Sequence, residues 1–189
     1  MKNLTLDESL LLGKGHERLC YIHPDDATKV IKIGHKKTRN QNELEATYYE
    51  YLARTNADLS HVARCYGYIC ANNSKGLVFD RVMNSDLSQP LTFAEAIKAK
   101  AFSKEYAKSL LNDLKSYLER NCIVFADIGL DNILCPKQEN GEYKLVIVDG
   151  LGARRPGLKL WLYTHIPLYA RYKIKSQWGK IVNKFDQLR

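Results

Sequence analysis

Polar and apolar residues alternate along "KVIKI", which puts Val30 and Lys32 on one side of a strand and Ile31 and Ile33 on the other. The wider stretch 10–33 reads as strand, turn, strand, strand. "LLLGKGHERLCYI" sets a glycine-rich turn between apolar runs, and "HPDDAT" is a turn built from Pro and Asp. The spacing then changes to a helical one. In "NQNELEATYYEYLAR", Leu44, Tyr48 and Leu52 recur every four residues, with Glu45 beside that stripe. "HVARCYGYICANNSKGLVFDRV" predicts two strands around an Asn-Asn-Ser-Lys-Gly turn.

The second half is mainly helical. "PLTFAEAIKAKA" and "SKEYAKSLLNDLKSYLERN" read as helices. In the latter, Leu110, Leu111, Leu114, Tyr117 and Leu118 form the apolar face, and Ser103 is the expected N-cap. "GEYKLVIVDG" reads as a buried strand after a turn at Asn140-Gly141. The segment "PGLKLWLYTHIPLYARYKIK" is aromatic and basic, broken by Pro156 and Pro167. "QWGKIVNKFDQLR" reads as a short amphipathic helix, with Trp178, Ile181, Val182, Phe185 and Leu188 opposite Lys180, Asn183, Lys184 and Gln187. A strand-rich first half followed by helices predicts an α+β fold rather than a doubly wound sheet.

At 189 residues and 45% hydrophobic, the chain suits one sizeable domain or two small lobes sharing a core. It has no fixed-period repeat and no low-complexity tract, which argues against a solenoid or a disordered chain. Acidic residues precede the short apolar run Leu10 to Leu12, so the start is a poor secretory signal. No segment approaches the ~18 uncharged apolar residues of a spanning helix. Cys20, Cys65, Cys70, Cys122 and Cys135 lack C-x-x-C spacing. They are expected to be reduced and mostly buried in a cytosolic protein, without a zinc site.

The net charge of +8 is unevenly spread. Residues 1–153 hold 20 Lys+Arg and 20 Asp+Glu, whereas residues 154–189 hold nine basic residues and one acid, Asp186. A neutral body with a cationic end suggests an anionic partner, and a solvated helical face is the plainer alternative.

Candidate chemistry follows the chain order. Gly13 and Gly15 form a Gly-x-Gly turn between strands, where backbone approaches a phosphate closely. Lys32 stands mid-strand among apolar neighbours and needs an anion, unless it snorkels from an edge strand. Glu45, on the following helix, would hold its head. Asp127 and Asn132 lie in "IVFADIGLDNILC", a loop after a long helix. The carboxylate there would orient an attacking hydroxyl, and the amide oxygen suits Mg²⁺. Asp149 ends the strand "VIVDG", well placed for a metal that bridges phosphates. Each feature alone also fits an ordinary turn. Together, in this order, they make up the components of phosphoryl transfer from a nucleotide.

From Leu10 to about Arg155 the chain resembles a protein-kinase-like phosphotransferase, two-lobed with a truncated C-terminal lobe. "VIKI" resembles V-A-I-K, which implies that Lys32 and Val30 take the nucleotide, with Glu45, or secondarily Glu43, as the lysine's partner. "LVFDRV" resembles the segment joining the lobes. This implies that Asp80 to Val82 offer backbone to adenine and that Phe79 sits behind the base. "FADIGLDNIL" resembles H-R-D-L-x-x-x-N-x-L, implying a catalytic Asp127, a metal-binding Asn132 and a Leu134 floor under adenine. "VDG" resembles the start of D-F-G, implying that Asp149 holds Mg²⁺. More narrowly, the whole chain is similar to the YrbL-type PhoP regulatory network proteins of enteric bacteria. That resemblance implies a bacterial cytosolic protein linked to a Mg²⁺- and envelope-stress regulon.

There are departures. Arg18 replaces the third glycine of the glycine-rich loop, where it would touch phosphate or close the site. Phe125 replaces a histidine, Gly129 replaces a lysine, and "DGLG" replaces D-F-G. Only 40 residues follow Asp149, so a long activation segment and a helical substrate platform are not expected in this sequence.

The implied organisation is a nucleotide-binding segment 1–82, a helical segment 83–153 with the catalytic loop, and a basic aromatic segment 154–189 docked on it. Trp161, Leu162, Tyr169 and Tyr172 are candidates to cap the core. The leading expectation is an ATP- and Mg²⁺-dependent phosphotransferase. Its acceptor would be anionic: an envelope saccharide, a lipid or another phosphorylated molecule. The location would be the cytoplasm or the inner-membrane surface. The alternatives are a nucleotide-binding regulator without turnover, and a membrane-surface or, less favoured, nucleic-acid binder acting through the basic segment.

Overall fold

A computed structural model describes residues 3–15, 17–34 and 41–188. The fold is α+β, with a six-stranded sheet, a two-stranded sheet and five α-helices among the described residues. The strands of the larger sheet are β1 (Asn3–Leu4), β2 (Leu11–Lys14), β3 (Arg18–His23), β4 (Asp26–Gly34), β5 (Cys65–Ala71) and β6 (Ser74–Asp80). Their order is β1-β5-β6-β4-β3-β2. β4 therefore pairs with β3 on one side and β6 on the other, so Lys32 does not lie on an edge strand. The β5–β6 turn is narrower than expected. Asn72 and Asn73 alone form it, at φ 48° and 57°, the left-handed pair that suits the twist of a hairpin.

The alternation along β4 sorts two interiors. Ile31 and Ile33 pack with Leu4, Leu6, Ala71 and Val78 on one face. Val30 packs on the other face with Leu77, Phe79 and the main helical core, and Lys32 points the same way as Val30.

Helix α1 (Gln41–Arg54) covers that second face. Helix α2 (Phe93–Lys98) begins with a capping box between Thr92 and Glu95. Helix α3 (Lys104–Asn121) has Ser103 as its N-cap, accepting from the Tyr106 N–H, and buries the expected leucines and Tyr117. Strand β7 (Ile133–Leu134) pairs antiparallel with β8 (Val146–Ile147), so the laddered part of "GEYKLVIVDG" is short.

Helices α4 (Leu158–His165) and α5 (Pro167–Gln187) end the described chain. The expected short helix over "QWGKIVNKFDQLR" is the second half of α5. Pro167 sits at the first helical turn, where its missing N–H costs nothing, so it starts the helix instead of breaking it. The core is capped by Tyr163, Ala170, Ile174, Trp178, Ile181 and Phe185. Trp161 and Tyr172, expected there, are exposed, because they lie on the opposite faces of α4 and α5. All five cysteines are free. Cys122 and Cys135 are buried, and the other three are only partly covered. No helix among the described residues is long and apolar enough to cross a membrane.

Candidate functional site

Lys32 leaves the centre of β4 and is almost fully buried. Its ammonium donates to the Val148 carbonyl at 2.5 Å, lies 4.4 Å above the Phe79 ring and stands 3.9 Å from Asp149 Oδ2. A buried ammonium with a carbonyl, an aromatic face and a carboxylate around it is partly compensated, with donor capacity to spare.

Glu45 does not hold that lysine. Its Oε2 accepts from Arg18 Nη1, and its buried Oε1 has no hydrogen-bond partner among the described residues. Arg18 also donates to Asp149 Oδ1 at 2.6 Å and to Asn42 Oδ1 at 3.1 Å. A guanidinium carries five donors in a fixed fork, so one arginine spans all three acceptors where an ammonium would not. Burial works against the Arg18 charge, but the carboxylates of Glu45 and Asp149 outweigh it and push its pKa up. Arg18 therefore occupies the Glu45 and Asp149 carboxylates in this arrangement. Glu43 is exposed and takes no part.

Asp149 is the hub. Burial opposes its charge, but Lys32, Arg18 and hydrogen bonds from Arg18 and the Gly150 N–H more than offset that, holding its pKa at about 2. The next residues explain "DGLG". Gly150 has φ +86°, and a Cβ there would meet the Asp127 carbonyl oxygen at 2.8 Å and the Phe125 ring at 3.1 Å. The bare backbone lets the Gly150 carbonyl accept from the N–H groups of Ala126 and Asp127, at 2.8 and 3.0 Å. Phe125, in place of a polar residue, is buried and bridges to Leu151.

Asp127 lies in the loop so anchored, and its Oδ1 accepts from Arg154 Nη2. Asn132 donates its amide nitrogen to the Asp127 carbonyl at 3.0 Å, which leaves its amide oxygen without a partner among the described residues. The Asn132 carbonyl accepts from the Val148 N–H at 3.0 Å, tying the Asp127 loop to the Asp149 strand. Asn132 and Asp149 thus offer hard oxygen donors of the type Mg²⁺ prefers. No group of three or more His, Cys, Asp or Glu that could hold a metal occurs among the described residues. A cation here would rest on these two side chains and on ligand oxygens.

Val30 and Phe79 are buried beside Lys32, and Leu134 is half-buried. The Asp80 carboxylate is used by Tyr66 and the Arg64 N–H. The N–H and C=O of Val82 carry no hydrogen bond among the described residues, so they remain available to a ligand edge. Gly13 has open space where a Cβ would stand, and the Gly15 N–H donates to the Arg18 carbonyl at 2.8 Å.

Three contributors escaped the sequence reading. Asn42 lies one turn before Glu45 on the same helix face, and its amide also reaches the Lys32 and Lys75 carbonyls. That i, i+3 pairing with Glu45 was its one available signal. Gln177 donates to the Ala126 carbonyl at 3.4 Å and Lys184 to the Ile128 carbonyl at 2.8 Å, so α5 grips the loop on both sides of Asp127. Nearby, burial and the cations of Lys159, Lys180 and Arg154 lower the pKa of Lys173, which marks a concentration of positive charge beside the loop.

A family model described as PhoP regulatory network protein YrbL matches residues 4–186. A relative named "Uncharacterized protein YrbL" from Escherichia coli (strain K12) is 32% identical over 154 residues, which is 79% of this chain and 73% of the relative. The protein of the same name from Shigella flexneri matches to the same extent.

Proposed function

The chain belongs to the bacterial YrbL family of PhoP regulatory network proteins, and we propose that it is an ATP- and Mg²⁺-dependent phosphotransferase of two-lobed, kinase-like construction. The observation that carries this reading is the meeting of Lys32, Asp149 and the Asp127–Asn132 loop. These residues come from β4, the segment just after β8 and the connection after α3. Backbone hydrogen bonds join the Asp127 loop to the residues on either side of Asp149, and the Lys32 side chain reaches Val148 and Asp149.

In this reading Gly13, Gly15 and Lys32 hold the triphosphate, and Asn132 and Asp149 hold Mg²⁺. Val82 meets the adenine edge, with Val30, Phe79 and Leu134 about the ring. The bound nucleotide and cation supply the phosphoryl group and neutralise its charge. Asp127 accepts the proton of the acceptor hydroxyl at its carboxylate, after that carboxylate parts from Arg154. Arg18 moves off Asp149 when the cation is taken, and Lys32 then has the vacant Glu45 Oε1 to pair with. The acceptor is anionic, in keeping with the basic residues around the loop.

One observation favours a second reading, a nucleotide-binding regulator without turnover: both aspartates are already ion-paired to arginines of the same chain. The test is thermal stability against ATP, GTP and ADP, each with and without Mg²⁺, followed by ATP hydrolysis. A ligand bound by the native state alone raises its stability. The phosphotransferase reading expects stabilisation plus a slow hydrolysis that disappears in Asp127→Ala while binding persists. Stabilisation without Asp127-dependent turnover selects the regulator, and no stabilisation by any nucleotide removes both.

A further inference from the structure

The large apolar side chains that reach solvent are unevenly distributed. Of nine among the described residues, five lie within fifteen positions at one corner: Leu158 (71% exposed), Trp161 (50%), Ile166 (37%), Leu168 (75%) and Tyr172 (66%). The local structure explains the grouping. Leu158 and Trp161 share one face of α4, Leu168 and Tyr172 share one face of α5, and Ile166 is the single residue between the helices. Neither face is needed by the core, which takes Tyr163, Ala170 and Ile174 from the opposite sides.

The charge that the segment itself carries at the corner has one sign, and Glu119 of α3 reaches it only through a backbone carbonyl that accepts from Arg171 Nε at 3.3 Å. Lys159 lies between Leu158 and Trp161, Arg171 and Lys175 continue the Leu168–Tyr172 stripe, and Arg155 precedes α4, all four of them exposed. No Asp or Glu occurs between Asp149 and Asp186. Asp186 itself is turned toward Lys104, 3.6 Å away on α3. A protein partner of ordinary composition would meet a rim of mixed charge. Aliphatic tips such as Leu158, Ile166 and Leu168 have no use in stacking on bases. An apolar ridge of Leu, Ile, Trp and Tyr with Lys and Arg beside it suits the boundary between anionic head groups and acyl chains.

We propose that the α4–α5 corner is a docking surface for an anionic lipid bilayer. Leu158, Trp161, Ile166, Leu168 and Tyr172 enter the interface, and Arg155, Lys159, Arg171 and Lys175 meet the head groups. Nothing in this assignment depends on nucleotide chemistry, and its test needs no nucleotide.

The test uses the full chain with vesicles of phosphatidylcholine alone and of phosphatidylcholine with phosphatidylglycerol. Sedimentation with the anionic vesicles only, weakened by added salt, is expected. Trp161 is a built-in reporter, since the second tryptophan, Trp178, is buried. Its emission shifts to the blue on binding, and Trp161→Phe abolishes that shift. Leu168→Ser combined with Tyr172→Ser lowers vesicle affinity by about tenfold or more, while circular dichroism stays that of the unmodified chain. Failure to sediment with anionic vesicles, equal binding to neutral ones, or undiminished binding by the double variant overturns the proposal. So does binding to RNA in place of vesicles.

Discussion

Arg18 and Asp149, 131 positions apart, meet with Nη2 at 2.6 Å from Oδ1, and the other arm of the same guanidinium reaches Glu45. This arginine stands three positions after Gly15, at the start of β3. It unites the first β-hairpin, α1 and the segment just after β8 in one charge cluster, in which Arg18 and Glu45 are buried and Asp149 is partly exposed.

Removing Arg18 leaves the Glu45 carboxyl group buried without its ion-pair partner. Arg18→Gln is expected to lower unfolding stability by about 3 kcal/mol in urea titration, and adding Glu45→Gln restores much of that loss. A double-mutant cycle measures the coupling. A single-variant cost below about 1 kcal/mol would mean the cluster holds nothing together.

Asp149 has its pKa depressed from an ordinary value near 3.8 to about 2. A depressed carboxylate adds stability that is complete above the unfolded value and is lost as pH falls through the folded one. The stability difference between the native chain and Asp149→Asn should therefore be level above about pH 4 and shrink toward pH 2. Chemical denaturation across that range checks it, and a difference that grows on acidification contradicts the sign.

Gly150 and Gly179 should respond oppositely to alanine. At Gly150 the Cβ would strike the Asp127 carbonyl oxygen at 2.8 Å with φ positive, so Gly150→Ala costs about 1–3 kcal/mol and displaces the loop. At Gly179, inside α5, a Cβ meets nothing within 4 Å, so Gly179→Ala adds up to about 1 kcal/mol. Melting temperatures of the two variants decide it.

If the chain transfers phosphoryl groups, the grip of α5 on the loop sets its rate. Lys184→Met, which removes the bond to the Ile128 carbonyl, should reduce turnover by about tenfold or more while nucleotide affinity is unchanged. A parallel loss of nucleotide affinity would show that the helix acts on the nucleotide site instead.

Much of the local structure was legible. Alternation marked β4, an apolar face beginning after Ser103 marked α3, and the Asn-Asn-Ser-Lys-Gly stretch marked the hairpin, although Asn72 and Asn73 alone form its turn. The apolar corner and the buried arginine were not. Period-3.6 spacing in the aromatic segment shows that a helix has faces, but which face meets the core depends on where α4 and α5 dock, so Tyr163 and Trp161 could not be told apart. Likewise, a lysine and an arginine both within reach of one glutamate are separated by fork geometry and distance, which adjacent sequence does not encode. Pro167 misled in the other direction, since the ring that ends one helix also starts the next.

Gln177 and Lys184 of helix α5 hold the loop around Asp127 from more than fifty positions away along the chain. The strands that carry Lys32 pair among themselves, so their geometry does not wait on α5. The loop takes its shape only when α5 has docked. Loosening that helix would leave the lysine and both aspartates without the brace that orients one of them, which makes α5 a remote latch on the loop.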